Sequence, residues 1–541
     1  MNKNDKTNFN EGLLNFIFIF TSVLLRYEYF GFNYYKQLDD YIQYHNYAAY
    51  NPHFFKFAIK IGLFAARPIA GSLDYLFWSK FWGNMFVALV IITALYSLSG
   101  VIIYNILRES LNLNFLFFVF FALFPINIEG TYWLSASSRI VCALFFVSIS
   151  SYFCFKYTQK GGSFNLFLFS LFQLISFGFY EQAIPMSFAM IFVIILLCKD
   201  KKGLGKFISL TVFSVILYFG FTNLFKDSLL YNNKMQIVLP INRYYYNSLL
   251  PRILIQIKSV FFYAPINIIK NGFIRGLNII LYGHNLLFLL GLLLIIFLII
   301  IITNRRVITC KKFNFNPSFF TGLFLSIAPL SVFMVSAEPW FSLRGYVMSG
   351  IGISIMASAL FEVFLIPFNS FKRVFYTSIP AILSAVFIIT GISEISDYRE
   401  TYYNDNRVVN SLLSEISQYD ANKEIAVLNI EPSYLNQQNY FHNEHIHGVT
   451  ESDWALTGAI RAVGGSNNLP YVTPIKKGDI YPPYYRFNEY DLYFYMDENY
   501  KLIPLNKKEN IDGTIVFYDS LSGSKIAEII KTQDNKLSLL P

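Results

Sequence analysis

Long runs without charge recur through most of this chain, and they constrain its fold more than anything else in it. Leu286–Thr303 and Met85–Ile103 are examples, and each is long enough to cross a hydrocarbon layer of about 30 Å. In that layer each backbone N–H and C=O has to be satisfied within the segment, which selects helices. The composition agrees. Of the 541 residues, 55% are hydrophobic, 19% aromatic and 14% charged, where soluble domains carry about 25% charged residues. The chain reads as an all-α polytopic membrane protein. The N-terminal apolar run lacks a small-residue cleavage site after it, so it is expected to be retained as a first helix.

Spans are expected near 12–29, 82–106, 113–127, 134–155, 164–179, 183–198, 207–224, 279–303, 318–336, 345–367 and 374–393, about eleven in all. The intervening segments differ in charge. One alternate set (1–11, 107–112, 156–163, 199–206, 304–314 and 368–373) holds 15 Lys and Arg, including Lys199, Lys201, Lys202, Lys206, Arg305, Arg306, Lys311 and Lys312. The short loops of the other set hold only Arg139 and Arg344. Base collects at cytoplasmic helix ends. The expected arrangement therefore has a cytoplasmic N-terminus and an external C-terminus, in a cell or inner membrane. Two external segments are long. Residues 30–81 carry Asp39-Asp40 and an amphipathic stretch, His53–Phe64, with Lys56 and Lys60 one turn apart. Residues 225–278 mix base with aromatics, as in Arg243-Tyr244-Tyr245-Tyr246.

Residues 1–393 thus form a transmembrane core, and 394–541 a separate external soluble domain. That tail has 13 basic and 21 acidic residues, a net of −8, against +17 for the remainder. The basic excess is that of a membrane core and does not imply nucleic acid. In the tail, Asp405–Gln418 has Val408, Val409, Leu412, Leu413 and Ile416 on one helical face. Glu424–Ile430, Asp491–Met496 and Gly513–Tyr518 read as strands, giving an α/β or α+β domain. Cys142, Cys154, Cys198 and Cys310 offer neither a disulfide framework nor a zinc spacing.

Asp39 and Asp40 follow the first span, and Arg67-Pro68 opens the approach to the second. Carboxylates next to a bilayer are costly unless solvated, paired or in use. This pattern resembles the GT-C superfamily of polyprenyl-phosphate-sugar-dependent glycosyltransferases, most nearly the O-antigen-modifying, serotype-converting type of glucosyltransferase. The resemblance covers roughly residues 12–393 in architecture and leaves the tail out. It implies an integral-membrane enzyme that moves a sugar from a polyprenyl-phosphate donor to a cell-envelope glycan or lipid-linked acceptor. Asp39 or Asp40 would be the general base on the acceptor hydroxyl, with Asp39 slightly favoured. A lipid phosphate is already a good leaving group, so one carboxylate suffices, and Arg67 supplies a permanently charged fork for the phosphate. A single displacement would invert the sugar carbon.

Other outer clusters fit that chemistry. Arg139 and Arg344 are candidates for the donor phosphate. Glu129, Glu181, Gln182 and Trp340 are candidates for sugar or acceptor contacts. Plainer roles stand beside these: Glu129 or Glu338 as ion-pair partners of the arginines, Glu181 as a solvated turn or an arginine partner, and Trp340 as part of an aromatic belt. His442, His445 and His447 with Glu444 read as a polar loop rather than a metal site, and no cofactor is indicated. The competing class is a transporter or flippase-type assembly factor. It would need polar residues lining a path at mid-bilayer, whereas the charges here collect at the outer helix ends.

Overall fold

The computed structural model describes residues 3–46, 53–198, 203–225, 237–305, 315–434, 447–476, 479–482, 485, 487, 489–510, 514–531 and 536–540. The chain divides into two compact units. The larger comprises Met1–Tyr34 and Phe55–Ile395 and is built of helices. Among the described residues, eight helices are long and apolar enough to cross a membrane: Trp78–Leu111, Leu134–Lys160, Leu204–Asn223, Tyr245–Gly283, Leu286–Asn304, Pro317–Met334, Leu343–Phe368 and Lys372–Ile416. Three apolar helices are shorter, Leu116–Tyr132, Ser163–Phe177 and Ala183–Cys198. One of the eight, Tyr245–Gly283, falls largely within the segment that the sequence suggests is an external loop. Its apolar residues are interrupted by Lys258, Lys270 and Arg275, which conceals the helix from a hydropathy reading. Lys199, Lys201, Lys202, Arg306, Cys310, Lys311 and Lys312 lie outside the described residues.

Lipid gives apolar helices no reason to associate, so their contacts rely on close backbone approach. Gly322 and Gly352 face one another across Pro317–Met334 and Leu343–Phe368, where a methyl group on either would strike the other's carbonyl. Gly272 and Gly276, spaced as small-xxx-small, seat Tyr245–Gly283 against Ile389 and Thr390 in the same way.

The second unit comprises Tyr35–Phe54 and the chain from Ser396, apart from a short piece around residue 440. Thus the segment carrying Asp39-Asp40 clusters with the C-terminal residues. The helix Lys372–Ile416 runs through both units. Its apolar stretch ends near Ser393, and its last turns bury Val408, Val409, Leu412 and Ile416 as the periodicity predicts. The sheet that follows has eight strands: β1 (Glu424–Ile430), β2 (Tyr471–Lys476), β3 (Ile480–Tyr481), β4 (Leu492–Met496), β5 (Leu502–Glu509), β6 (Ile515–Asp519), β7 (Lys525–Lys531) and β8 (Leu537–Leu540). Their order is β2-β1-β4-β5-β6-β7-β8-β3.

β1 pairs in parallel with β2 and β4, placing Ile425 beside Val472 and Leu492. Strands in this position are covered on both faces, and β1 is buried from Ile425 to Ile430. The crossover helix Asp453–Val463 links β1 to β2 and buries Leu456, Ala459 and Ile460. Its Thr457 hydroxyl accepts from Val472 N–H at 2.9 Å. From β4 to β8 the chain is an antiparallel meander whose core gathers Leu428, Ile475, Tyr493, Phe517, Ile529 and Leu539.

Candidate functional site

In the larger unit, Arg67 sits between two short helices, Leu63–Ala66 and Pro68–Leu76. Pro68 explains the break. It has no N–H to continue the first helix, and its fixed φ suits the first position of the second. The Ile69 and Ala70 amides donate to the Gly178 carbonyl at 3.1 and 3.2 Å, docking the hairpin 178–182 against this break. Any side chain at Gly178 would run into Ile69. Arg67 then meets the hairpin with its fork: Nε donates to Glu181 Oε1 at 3.0 Å and Nη2 to Oε2 at 3.1 Å. The guanidinium also lies 4.4 Å from the Tyr180 ring centroid.

Arg139, on Leu134–Lys160, reaches a carboxylate that the sequence reading did not single out. Its Nη2 is 2.6 Å from Asp74 Oδ2, with Asp74 fully buried. Asp74 lies two helical turns beyond Arg67, on the same face of Pro68–Leu76. Arg344 lies in the turn Leu343–Gly345 that leads into the helix Tyr346–Leu365, and its guanidinium lies 5.4 Å from the Trp133 centroid. Two glutamines hold its loop. Gln182 donates to the Gly345 carbonyl at 3.2 Å. Gln256, also missed, donates to Pro339 O at 2.9 Å and accepts from Phe341 N–H at 2.9 Å.

Glu129 is buried in the five-residue helix Ile128–Tyr132, where Gly130 packs on the Arg344 backbone. Arg26 anchors this helix from the N-terminal helix Lys3–Tyr27, donating to Tyr27 Oη at 3.1 Å and to Thr131. Trp340 is 56% exposed at the surface. Burial pushes the Tyr180 phenol up, while Arg67, Arg344 and Arg139 pull it down and Glu181 opposes them. The fold therefore brings Arg67, Arg139, Arg344, Glu129, Glu181 and Gln182 into one neighbourhood with Asp74 and Tyr180.

In the second unit, Asp39 and Asp40 open the helix Asp39–Tyr44. The residue before them, Leu38, has φ 34°. That value is unfavourable for a side chain with a Cβ and persists only where its surroundings enforce it. Gln37 supplies the enforcement. Its Nε2 donates to Tyr398 O at 3.0 Å, and its backbone N–H donates to Asp40 Oδ2 at 2.9 Å. Asp40 is fully buried, and Asp39 is intermediate in exposure. Lys36 is held below its ordinary pKa by burial, partly offset by the Asp40 charge.

The same unit has a further buried carboxyl, Asp405, beyond the apolar part of its helix. Oδ1 accepts from Val449 N–H at 2.9 Å. Burial raises the pKa to about 7, against lowering by Ser433 and Val449. Because the folded pKa is raised, the unfolded chain releases this proton near pH 4 while the native state keeps it. Stability therefore falls as pH rises from about 4 to about 7, and the deficit persists above. Asp405→Asn keeps an acceptor for Val449 without the charge. It should unfold like wild type near pH 4 and at higher temperature than wild type above pH 7, as a thermal-melt series on the full-length protein would record.

Among the described residues no three His, Cys, Asp or Glu side chains are grouped so as to hold a metal ion. His442, Glu444 and His445 lie outside the described residues, and His447 is exposed. Compared with models of known protein families the sequence matches none, and no curated protein matches it either.

Proposed function

We propose that this protein is a membrane glycosyltransferase of the GT-C type, which moves a sugar from polyprenyl phosphate to a cell-envelope glycan or lipid-linked acceptor at the outer face. The observation that carries the reading is the hairpin 180–182, which joins two of the arginines: Arg67 forks onto Glu181 and lies on the Tyr180 ring, and Gln182 holds the Gly345 carbonyl beside Arg344. Guanidinium groups near helix ends, with the Arg344 loop pinned by Gln182 and Gln256, suit a phosphate that gains charge as its bond to the sugar breaks. In the proposed step an Asp39 carboxylate oxygen takes the acceptor's hydroxyl proton. The acceptor oxygen bonds to the anomeric carbon, and the bond from that carbon to the phosphate oxygen breaks, releasing polyprenyl phosphate. Asp39 suits the base role better than Asp40, because Asp40 is fully buried and Asp39 is partly accessible. The charge asymmetry of the loops supports a cytoplasmic N-terminus and an external C-terminal unit.

The test is donor-concentration dependence in purified protein reconstituted in lipid. Arg67→Ala should raise the donor KM strongly. Arg67→Lys, which keeps charge but loses the two-pronged geometry, should fall between it and wild type. An unchanged donor response in Arg67→Ala would reduce Arg67 to an anchor for Glu181 and the hairpin.

A further inference from the structure

We infer that the C-terminal unit serves to seat and aim the acidic helix, so that Gly458 of the crossover helix is a positioning residue for Asp39. This rests on the transferase reading for what Asp39 does, but the packing that supports it is independent of that reading. All of the residues involved belong to the second unit.

The segment from Tyr35 is gripped at three places. At its start, the Tyr35 ring lies 5.8 Å from Tyr402 and 6.3 Å from Tyr403, centroid to centroid, and Gln37 bonds the Tyr398 carbonyl. In the middle, the Tyr41 and Tyr44 side chains of the helix are buried. At its far end, Asn46 Nδ2 donates to the Gly458 carbonyl at 3.5 Å. Gly458 itself is the seat. A Cβ there would lie 2.7 Å from Ile42 Cγ1 and 3.4 Å from Asn46 Nδ2. Ile42 Cγ1 is close to its own backbone and has little freedom to swing aside, so a larger residue displaces the helix as a whole. Asp39 lies one turn before Ile42, so this displacement moves the carboxylate.

Glycine costs about 1 kcal/mol against alanine inside a helix, and Gly458 is mid-helix in Asp453–Val463. Its use there is explained by close approach. For the same reason Gly458→Ala and Gly458→Leu favour the crossover helix itself, and any loss they cause comes from the contact with Ile42. Misplacing a reacting group by about 1 Å is able to cost ~10²-fold in rate.

The experiment uses the full-length protein in lipid vesicles, with a panel of labelled polyprenyl-phosphate hexoses as donors and native envelope membranes as acceptor. Hydrogen exchange of amides 39–46 is read in parallel and needs no substrate. Gly458→Ala and then Gly458→Leu should progressively raise exchange at 39–46 while the β1 and β6 amides stay protected. kcat should fall by up to about 10²-fold with donor KM unchanged, and Ile42→Ala in the Gly458→Leu background should restore both. Unchanged exchange at 39–46 would overturn the packing claim. Altered exchange with wild-type kcat would overturn the positioning claim while leaving the transferase reading intact. The reading itself falls separately, if no donor is turned over by the wild type or if Asp39→Asn keeps full activity.

Discussion

Asp39→Asn is expected to abolish sugar transfer, by about 10²–10⁴ in kcat, with little change in donor KM or in thermal stability. The amide keeps the shape of the side chain but cannot accept the acceptor's proton, and loss of general-base help is of this order. Asp39 is the more accessible of the pair, so the change falls on chemistry rather than folding. Asp40→Asn should behave differently. Its amide oxygen still accepts from Gln37 N–H, the bond that stabilises the strained turn at Leu38, so most of the activity should persist. Initial-rate measurements on both variants separate the roles. Full activity in both would remove the chemical centre of the transferase reading.

Asp74→Ala should be the most destabilising single change in the larger unit. It leaves the Arg139 guanidinium, 8% exposed, without the carboxylate that balances it. Removing one partner of a buried pair typically costs about 3–5 kcal/mol, because the remaining charge stays out of water. Asp74→Asn keeps an acceptor for Arg139 and should cost less. Replacing both residues by apolar ones of similar size should recover much of the stability. Thermal melts in detergent, with yield of folded protein as a second readout, test the order wild type, Asn, Ala. A wild-type melting temperature for Asp74→Ala would show that Arg139 is balanced elsewhere.

The sequence disclosed most about the segments whose periodicity is strong. Glu424–Ile430 is β1 as expected, and the later strands 491–496 and 513–518 fall within two residues of β4 and β6. On Asp405–Gln418, Val408, Val409, Leu412 and Ile416 of the expected face are buried and Leu413 is half-buried. β2 and β5 escaped notice because Pro474, Pro504 and the run Lys507-Lys508-Glu509 mask their strand character. The helix Tyr245–Gly283 was concealed by its scattered cations. In the site, Arg139 and Arg344 were conspicuous because the short loops expected outside otherwise lack base. Their partners were not. Asp74 and Arg139 are 65 positions apart, and no local pattern announces that pair. The allegiance of 35–54 to the C-terminal unit was equally hidden, because it depends on contacts such as Asn46 with Gly458 across 412 positions.

The two ends of the eight-stranded sheet carry a consequence for the protein's behaviour at high concentration. An open sheet offers unpaired amides and carbonyls at each side, a template for joining with another chain. Here one outer strand, β2, has Pro474 in its middle, and the other, β3, is only two residues long. Proline has no N–H to offer and interrupts strand addition, and a two-residue strand gives almost nothing to extend. Both borders are therefore poor templates for fibrillar stacking. The unit is protected against self-assembly by its own edges, and Pro474→Thr would restore the missing donor on one of them.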